Sequence, residues 1–248
     1  AACLKLLKGI KQVAVFDTAF HQTLPEYAYM YGLPFELYRK FGIRKYGFHG
    51  TSHEYVARKA AEKLKRPLKN LNLITCHLGN GCSITAIKNG KSIDTSMGFT
   101  PLEGLLMGTR CGDLDAAVVT YLARHKHFSA DELDEILNKE SGLKGVSGIG
   151  NDMRQLEAAA KRGNRRARLA IAMFVYRIKK YLGAYLAVLG KVDAVVFTAG
   201  IGENQSALRR LILKGMFENL KRQPKVLVVH TDEELMIAWQ TYRLIKKH

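Results

Sequence analysis

The spacing of apolar positions changes several times along the chain. VAVF (13–16) is a short β-branched and aromatic run ending on Asp17, and it reads as a buried strand that delivers a carboxylate at its C-terminal end. A loop with two prolines precedes GFHGTSHEYVARKAAEKLKR (47–66), where Thr51 and Glu54 have the spacing of a capping box and predict a helix over 52–64. LNLITCHLGNGCSITAIKNGKS (71–92) predicts a β-hairpin that turns at Gly79-Asn80-Gly81, with a second turn at Asn89-Gly90. The glycine-punctuated stretch 95–112 predicts irregular backbone.

Helical periodicity dominates the second half. Helix starts are expected near Asp113, near Ser129 (where Glu132 completes a capping pair) and near Asp152, with a loop over 141–151. After the Gly163-Asn164 break, Leu169, Met173, Tyr176, Leu182, Leu186 and Leu189 recur at helical spacing and predict the core face of a long amphipathic helix. Residues 192–213 read as strand, glycine turn and helix. VLVV (226–229) reads as a strand, and Thr231 as the cap of a final helix with Glu234 at the capping-box position. Strands alternating with helices, plus one meander, give an α/β class with a mixed sheet.

Composition narrows the class. The 248 residues are 47% apolar and 25% charged, the balance of a folded globular protein rather than a disordered one. No run approaches the roughly 18–20 apolar residues of a membrane span. The N-terminus is too basic and too briefly apolar for a secretory signal. Cys3, Cys76, Cys82 and Cys111 lack zinc-site spacing, and a chain of this size does not need disulfide bridges, which favours a reduced, cytoplasmic compartment. Against 22 acidic residues stand 39 Lys and Arg, so the net charge is +17; this favours an anionic partner without choosing between nucleic acid, a phosphorylated metabolite and an acidic subunit.

Candidate chemistry gathers at the junctions between elements. His77-Leu78-Gly79-Asn80-Gly81 and Gly200-Ile201-Gly202-Glu203-Asn204 are glycine turns whose backbone N–H groups could approach a phosphate, although Gly-Asn-Gly is more often a plain hairpin turn. Neither matches a Walker or Rossmann fingerprint. His49 precedes the predicted helix and could face an anion there as a neutral donor, or be a satisfied loop histidine. Asp17 could orient a metal or nucleophile, or cap a turn. Arg110 in Met-Gly-Thr-Arg has the setting of a phosphate clamp, or of a solvated charge. Glu233 has no capping role, which leaves it free to serve a cation.

Taken in order, FDTAFHQTLP (16–25), YGFHGTSH (46–53), HLGNGCS (77–83), MGTRCGDLD (107–115), DMR (152–154), AGIGEN (199–204) and TDEELMIA (231–238) resemble the motifs of the acetate and propionate kinase family across nearly the whole chain. The resemblance implies a mixed-sheet, ribonuclease H-like α/β domain of the superfamily of acetate and sugar kinases, actin and heat-shock chaperones. It implies reversible, direct in-line transfer of the ATP γ-phosphoryl to acetate or propionate, with Mg²⁺, giving an acyl phosphate and ADP. By the same resemblance Asp17 is the catalytic carboxylate, and His49 and Arg110 stabilise the transferring group. His77, Leu78, Gly79, Asn80 and Gly81 contact the ATP phosphates. Asp152, Met153 and Arg154, with Gly200, Ile201, Gly202, Glu203 and Asn204, hold the adenosine end. Glu233 reaches magnesium, and Phe48 and Pro101 line the acyl pocket.

Against the family pattern, most of an N-terminal domain is expected to be missing, and with it a phosphate loop, a carboxylate-binding arginine and a further histidine. The division implied is 1–18 as a remnant of that domain and hinge, 19–230 as the nucleotide-binding domain, and 231–248 as a helix that packs on the missing part and has lost its docking surface here. A stretch between Asn204 and Thr231 also reads as shortened. The chain by itself is then expected to be inactive, and the family implies a homodimer without nucleic-acid or membrane partners. The alternatives are a basic, non-catalytic module binding nucleotide or nucleic acid through Lys161, Arg162, Arg165, Arg166 and Arg168, and a sugar kinase of the same superfamily, which GFHGTSH and MGTR disfavour.

Overall fold

A computed structural model describes residues 5–246, so Cys3 lies outside the described residues. Strands β1 (Asn72–Leu78), β2 (Cys82–Lys88) and β3 (Lys91–Thr95) form the predicted antiparallel meander. β4 (Ala194–Thr198) and β5 (Lys225–Val228) add in parallel beyond β1, giving the order β3-β2-β1-β4-β5. The mixed sheet is therefore as expected. β1 and β4 end side by side, and their C-terminal ends are where ligands bind in open α/β sheets.

The helices of the chain include α1 (Gly50–Leu64), α2 (Ala116–His125), α3 (Ala130–Glu135), α4 (Gly142–Ser147), α5 (Met153–Lys161), α6 (Arg165–Leu189), α7 (Ala199–Asn204), α8 (Ser206–Leu213) and α9 (Glu233–Lys246). Short helical turns at Ala19–Thr23, Glu26–Tyr29 and Phe35–Phe41 precede them. Residues alternate across the sheet, so Ile74, Cys76, Leu78, Cys82 and Ile84 join α5, α6 and α8 in one core. Leu73, Ile87, Ala194 and Val196 pack on the other face against α1 and α9. That second face also receives the odd positions Thr75, His77, Ser83 and Thr85, all buried. The sheet is covered on both sides, and a polar strip lies inside one of the two cores.

Several expectations are corrected. Residues 13–16 form no strand: they pair with no strand among the described residues, the Phe16 carbonyl accepts instead from the Ala19 amide at 2.9 Å, and Phe16 is exposed. A strand needs a neighbour for its backbone groups, and a four-residue apolar run does not supply one. Thr51 and Glu54 form no capping box, because Glu54 turns to Arg58 and Gln240. The expected loop 141–151 contains α4, and the glycine turn at 200–204 is helix α7, entered through Ala199 in the left-handed region at φ 65°. Asp232, rather than Thr231, caps α9 by accepting from the Leu235 amide at 2.9 Å.

The face of α6 is also corrected. Leu182 and Leu189 are buried as expected, but Leu169, Met173 and Tyr176 are exposed. The core stripe runs through Ala167, Ala170, Phe174, Ile178, Leu182, Tyr185 and Leu189. Finally, α9 has a docking surface within this chain: Met236 is buried against α1, and Trp239 lies beside Tyr55.

Candidate active site

The N-terminus of α1 is built around Asp17. The His49 amide donates to Asp17 Oδ2 at 2.6 Å, the Gly50 amide donates to the Asp17 carbonyl at 2.8 Å, and the Thr51 amide reaches Oδ1 at 3.5 Å. A helix N-terminus carries unpaired N–H groups and partial positive charge, so a carboxylate from a distant segment serves as its cap. The fit depends on glycine, since a Cβ on Gly50 would stand 2.2 Å from the Asp17 carbonyl oxygen. His49 itself sits at φ 57°, a left-handed conformation that costs a non-glycine residue about 1–2 kcal/mol. That strained position turns its ring away from the helix and over the sheet.

There it meets three other histidines. His49 and His77 stack with centroids 4.1 Å apart, while His53 approaches His21 and His77 edge-on. Hydroxyls link the rings. Ser83 Oγ lies 2.8 Å from His49 Nδ1 and 2.7 Å from His53 Nε2, and Thr75 Oγ1 lies 2.7 Å from His53 Nδ1. Ser52 Oγ joins His77 Nδ1 to Thr231 Oγ1, both at 2.8 Å. His21 donates from Nε2 to the Phe48 carbonyl at 3.0 Å, and its Nδ1 faces Ser92 Oγ at 2.9 Å.

Burial keeps all four rings neutral. It lowers His21 and His49 to about 4 and His77 to about 3, and it pushes His53 well below the usual histidine range. The Arg110 charge adds to the shift of His49.

Arg110 reaches the cluster from the loop before α2, and its Nη1 donates to the Pro101 carbonyl at 3.3 Å. The point where the two side chains converge is marked by Gly81: a Cβ there would lie 3.3 Å from His49 Nε2 and 3.4 Å from Arg110 Nη1. Glu233, at the start of α9, is half-buried, and burial followed by the charge of Asp17 holds its carboxyl above the usual range. Two carboxylates thus face one another's field, and one of them, Asp17, is held by the His49 amide.

Beyond Gly81 an open cleft of about 440 Å³ runs between the ends of β1 and β4. It is lined by Gly79, Asn80, Asp152, Met153, Arg154, Gly200, Ile201 and Asn204, all expected here, and by Asn151 and Gln205, which sequence reasoning passed over although each adjoins a quoted motif. Asn80 is fastened from two sides: the Gly108 amide donates to its carbonyl at 3.0 Å, and Asn151 Nδ2 donates to its Oδ1 at 2.8 Å. A Cβ on Gly108 would sit 2.0 Å from that Oδ1, so the glycine of Met-Gly-Thr-Arg lets the two loops touch.

Not every expected residue faces the cleft. Leu78 belongs to the core, and Gly202 and Glu203 stand behind the wall. Glu203 accepts from the Ala199 amide at 2.8 Å and pairs with His230 at 2.7 Å, tying α7 to the segment before α9. Asp152 caps α5 by accepting from the Arg154 amide at 2.9 Å, and it also holds the Arg154 guanidinium at 2.8 Å. Phe48 packs at the edge of the larger core.

The basic cluster proposed for nucleic acid is partly spent on the fold. Arg166 donates to the carbonyls of Val146 and Gly145, and Arg168 to that of Gly163. No helix among the described residues is long and apolar enough to cross a membrane, and Cys76, Cys82 and Cys111 are free thiols.

The sequence profile of the acetokinase family matches residues 1–220. The acetate kinase of Caldicellulosiruptor saccharolyticus is 58% identical over an alignment covering 99% of this chain and 67% of that protein. That of Dictyoglomus thermophilum is 53% identical, with the same coverage. Among solved structures, Porphyromonas gingivalis acetate kinase superposes with a TM-score of 0.93 at 48% identity, covering 98% of this chain and 66% of that one. A propionate kinase from Francisella tularensis gives 0.89 at 46%, covering 95% and 65%. The chain spans about two thirds of the length of these relatives.

Proposed function

The chain belongs to the acetokinase family, and from that premise we propose that it carries the nucleotide-binding side of a kinase that moves the ATP γ-phosphoryl reversibly to acetate or propionate. The observation that carries this reading is the meeting of His49 Nε2 and Arg110 Nη1 at Gly81, between the Asp17 carboxylate and the open cleft. A nucleotide lying in the cleft with its adenosine end against α5 and α7 brings its phosphates to that point.

A carboxylate acceptor is already a nucleophile at neutral pH, so no strong base is required. The task is to hold two anions in line and to offset the charge on the transferring oxygens. Arg110 supplies a fixed positive charge. His49, kept neutral by burial, supplies a hydrogen bond rather than a second charge. Asp17 is the catalytic carboxylate, held on the α1 amides, and Phe48 and Pro101 are proposed to border the acyl group.

Magnesium fits the donor set. Mg²⁺ prefers hard oxygen ligands and binds through one or two carboxylates with water and phosphate completing its shell. Glu233 and Asp17 provide such a pair, and their mutual repulsion is what a cation relieves. When bound, the ion neutralises phosphate charge.

The free thiols support a cytoplasmic setting, and the exposed apolar positions Leu169, Met173 and Tyr176 on α6 support a homodimer. The test is acyl phosphate formation from acetate or propionate and Mg-ATP, trapped as the hydroxamate. The whole natural protein is expected to turn over, and residues 1–248 alone are not. No acyl phosphate from the whole protein with either acid would overturn the reading.

A further inference from the structure

His49 is useful to a phosphoryl group only if its Nε2 carries a proton. Whether it does can be read from the buried chain behind it. Ser83, His53 and Thr75 are all wholly buried, and the contacts run His49 Nδ1, Ser83 Oγ, His53 Nε2, His53 Nδ1, Thr75 Oγ1. A serine hydroxyl has one hydrogen, so Ser83 can donate to one ring and must accept from the other.

Two neutral rings allow four arrangements. One of them, in which both rings turn a bare nitrogen to Ser83, leaves one nitrogen without a donor, because Ser83 has a single hydrogen, so three remain. If both rings donate to Ser83, its own hydrogen has no acceptor. If His49 donates to Ser83 and Ser83 to His53, then His53 must donate to Thr75, and the Thr75 hydrogen is stranded, because Thr75 Oγ1 makes no other hydrogen bond among the described residues. If Thr75 donates to His53, His53 to Ser83 and Ser83 to His49, every hydrogen in the buried chain has an acceptor. Stranding a buried hydroxyl hydrogen biases the equilibrium by about tenfold or more, so the third arrangement prevails. It leaves the His49 proton on Nε2, on the edge that meets Arg110 at Gly81.

We propose that Thr75, His53 and Ser83 are positioning residues that fix His49 as its Nε2–H tautomer and aim that donor at the transferring phosphoryl. The proposal rests on the kinase reading for its purpose, but the proton position is a property of the fold. It also explains why a strand and a helix bury so many polar groups face to face. Ser83 and Thr75 lie on the same side of the sheet by the two-residue alternation of β1 and β2, and His53 sits on the α1 stripe continued by Val56, Ala57 and Ala60. The His77 branch is not decided in this way, since Thr231 is partly exposed and Ser52 can point either way along it.

The test is made on the whole natural protein. Nitrogen-15 chemical shifts of labelled histidine are expected to show His49 with Nδ1 bare and Nε2 protonated; a proton on Nδ1 overturns the proposal whatever the activity. Ser83→Ala is expected to lower kcat by about tenfold, the effect of one lost supporting hydrogen bond, with the KM for ATP within about twofold. Ser83→Thr restores most of it. A folded Ser83→Ala with the original kcat, or a folded Ser83→Thr no better than Ser83→Ala, also sinks the idea. Should Ser83→Ala fail to fold, the pair His49→Gln and His49→Asn decides, because the glutamine amide reaches the Nε2 position and the asparagine amide the Nδ1 position. Glutamine is expected to retain about tenfold more kcat, and asparagine equal to or better than glutamine overturns the assignment. If the whole protein makes no acyl phosphate while His49 shows the Nε2–H signature, the kinase reading fails and the tautomer assignment stands.

Discussion

Mild acid should destabilise this protein well above the range in which its carboxylates titrate. An exposed histidine in the unfolded chain has a pKa near 6.5, whereas His21 and His49 lie at about 4 and His77 at about 3 in the folded state. The folded state therefore binds fewer protons than the unfolded one at any pH between these limits. Stability is fully present above pH 6.5 and is lost as pH falls towards the folded values. Each of the three contributes a loss of about 2 kcal/mol between pH 7 and pH 5. Together they remove about 6 kcal/mol, a large part of the 5–15 kcal/mol of a typical domain. His53 is shifted in the same direction. His230 opposes them, because Glu203 raises its pKa, but it is exposed and its share is small. Urea unfolding followed by circular dichroism at pH 7, 6 and 5 measures the effect. The midpoint is expected to fall steeply, with about three protons taken up per molecule unfolded at pH 5. A midpoint that stays level from pH 7 to pH 5 would refute the account of four neutral, buried rings.

Other substitutions probe the same site. Gly50→Ala pushes a Cβ against the Asp17 carbonyl, so it should cost about 2–3 kcal/mol despite alanine's better helix propensity; an unchanged or raised thermal midpoint would show that Asp17 does not cap α1. Arg110→Ala should lower kcat by about two to three orders of magnitude, and an unchanged kcat removes it from the phosphoryl path. Glu233→Gln should raise the magnesium concentration needed for half-maximal rate, read from a Mg²⁺ titration at fixed ATP; an unaltered requirement removes Glu233 from the metal.

Much of the framework could be read from sequence because turns announce themselves. Gly-Asn-Gly and Asn-Gly located the meander, and Ser129 with Glu132 makes the capping box it promised. What failed has a common cause. Local spacing reports which residues could satisfy one another, and at this site a distant group wins. Thr51 and Glu54 had capping-box spacing, but Asp17 arrives from another segment and takes the helix amides. On α6 the large residues Leu169, Met173 and Tyr176 outweigh the small ones by eye, although Ala167 and Ala170 are what let the helix close on the sheet. The polar strip was the hardest to see. Thr75, His77 and Ser83 alternate with apolar neighbours as a solvated face would, and only the long-range packing of α1 makes that face internal. His21 lies inside FDTAFH, but nothing in its sequence neighbourhood shows that it joins His53.

The order in which the two walls of the cleft can assemble follows from the register of the sheet. Leu78 lies opposite Cys82, so the wall carrying His77 to Gly81 comes from a tight hairpin that closes early and cheaply. The facing wall depends on Leu73 meeting Ala194, after α2 to α6 have been threaded between them, and that pairing carries the larger loop-closure entropy. Folding should therefore finish at the cleft, and unfolding should begin there by parting β4 from β1. A nucleotide that touches both walls ties together the ends of the longest loop in the sheet. It acts as a brake on unfolding as well as a substrate.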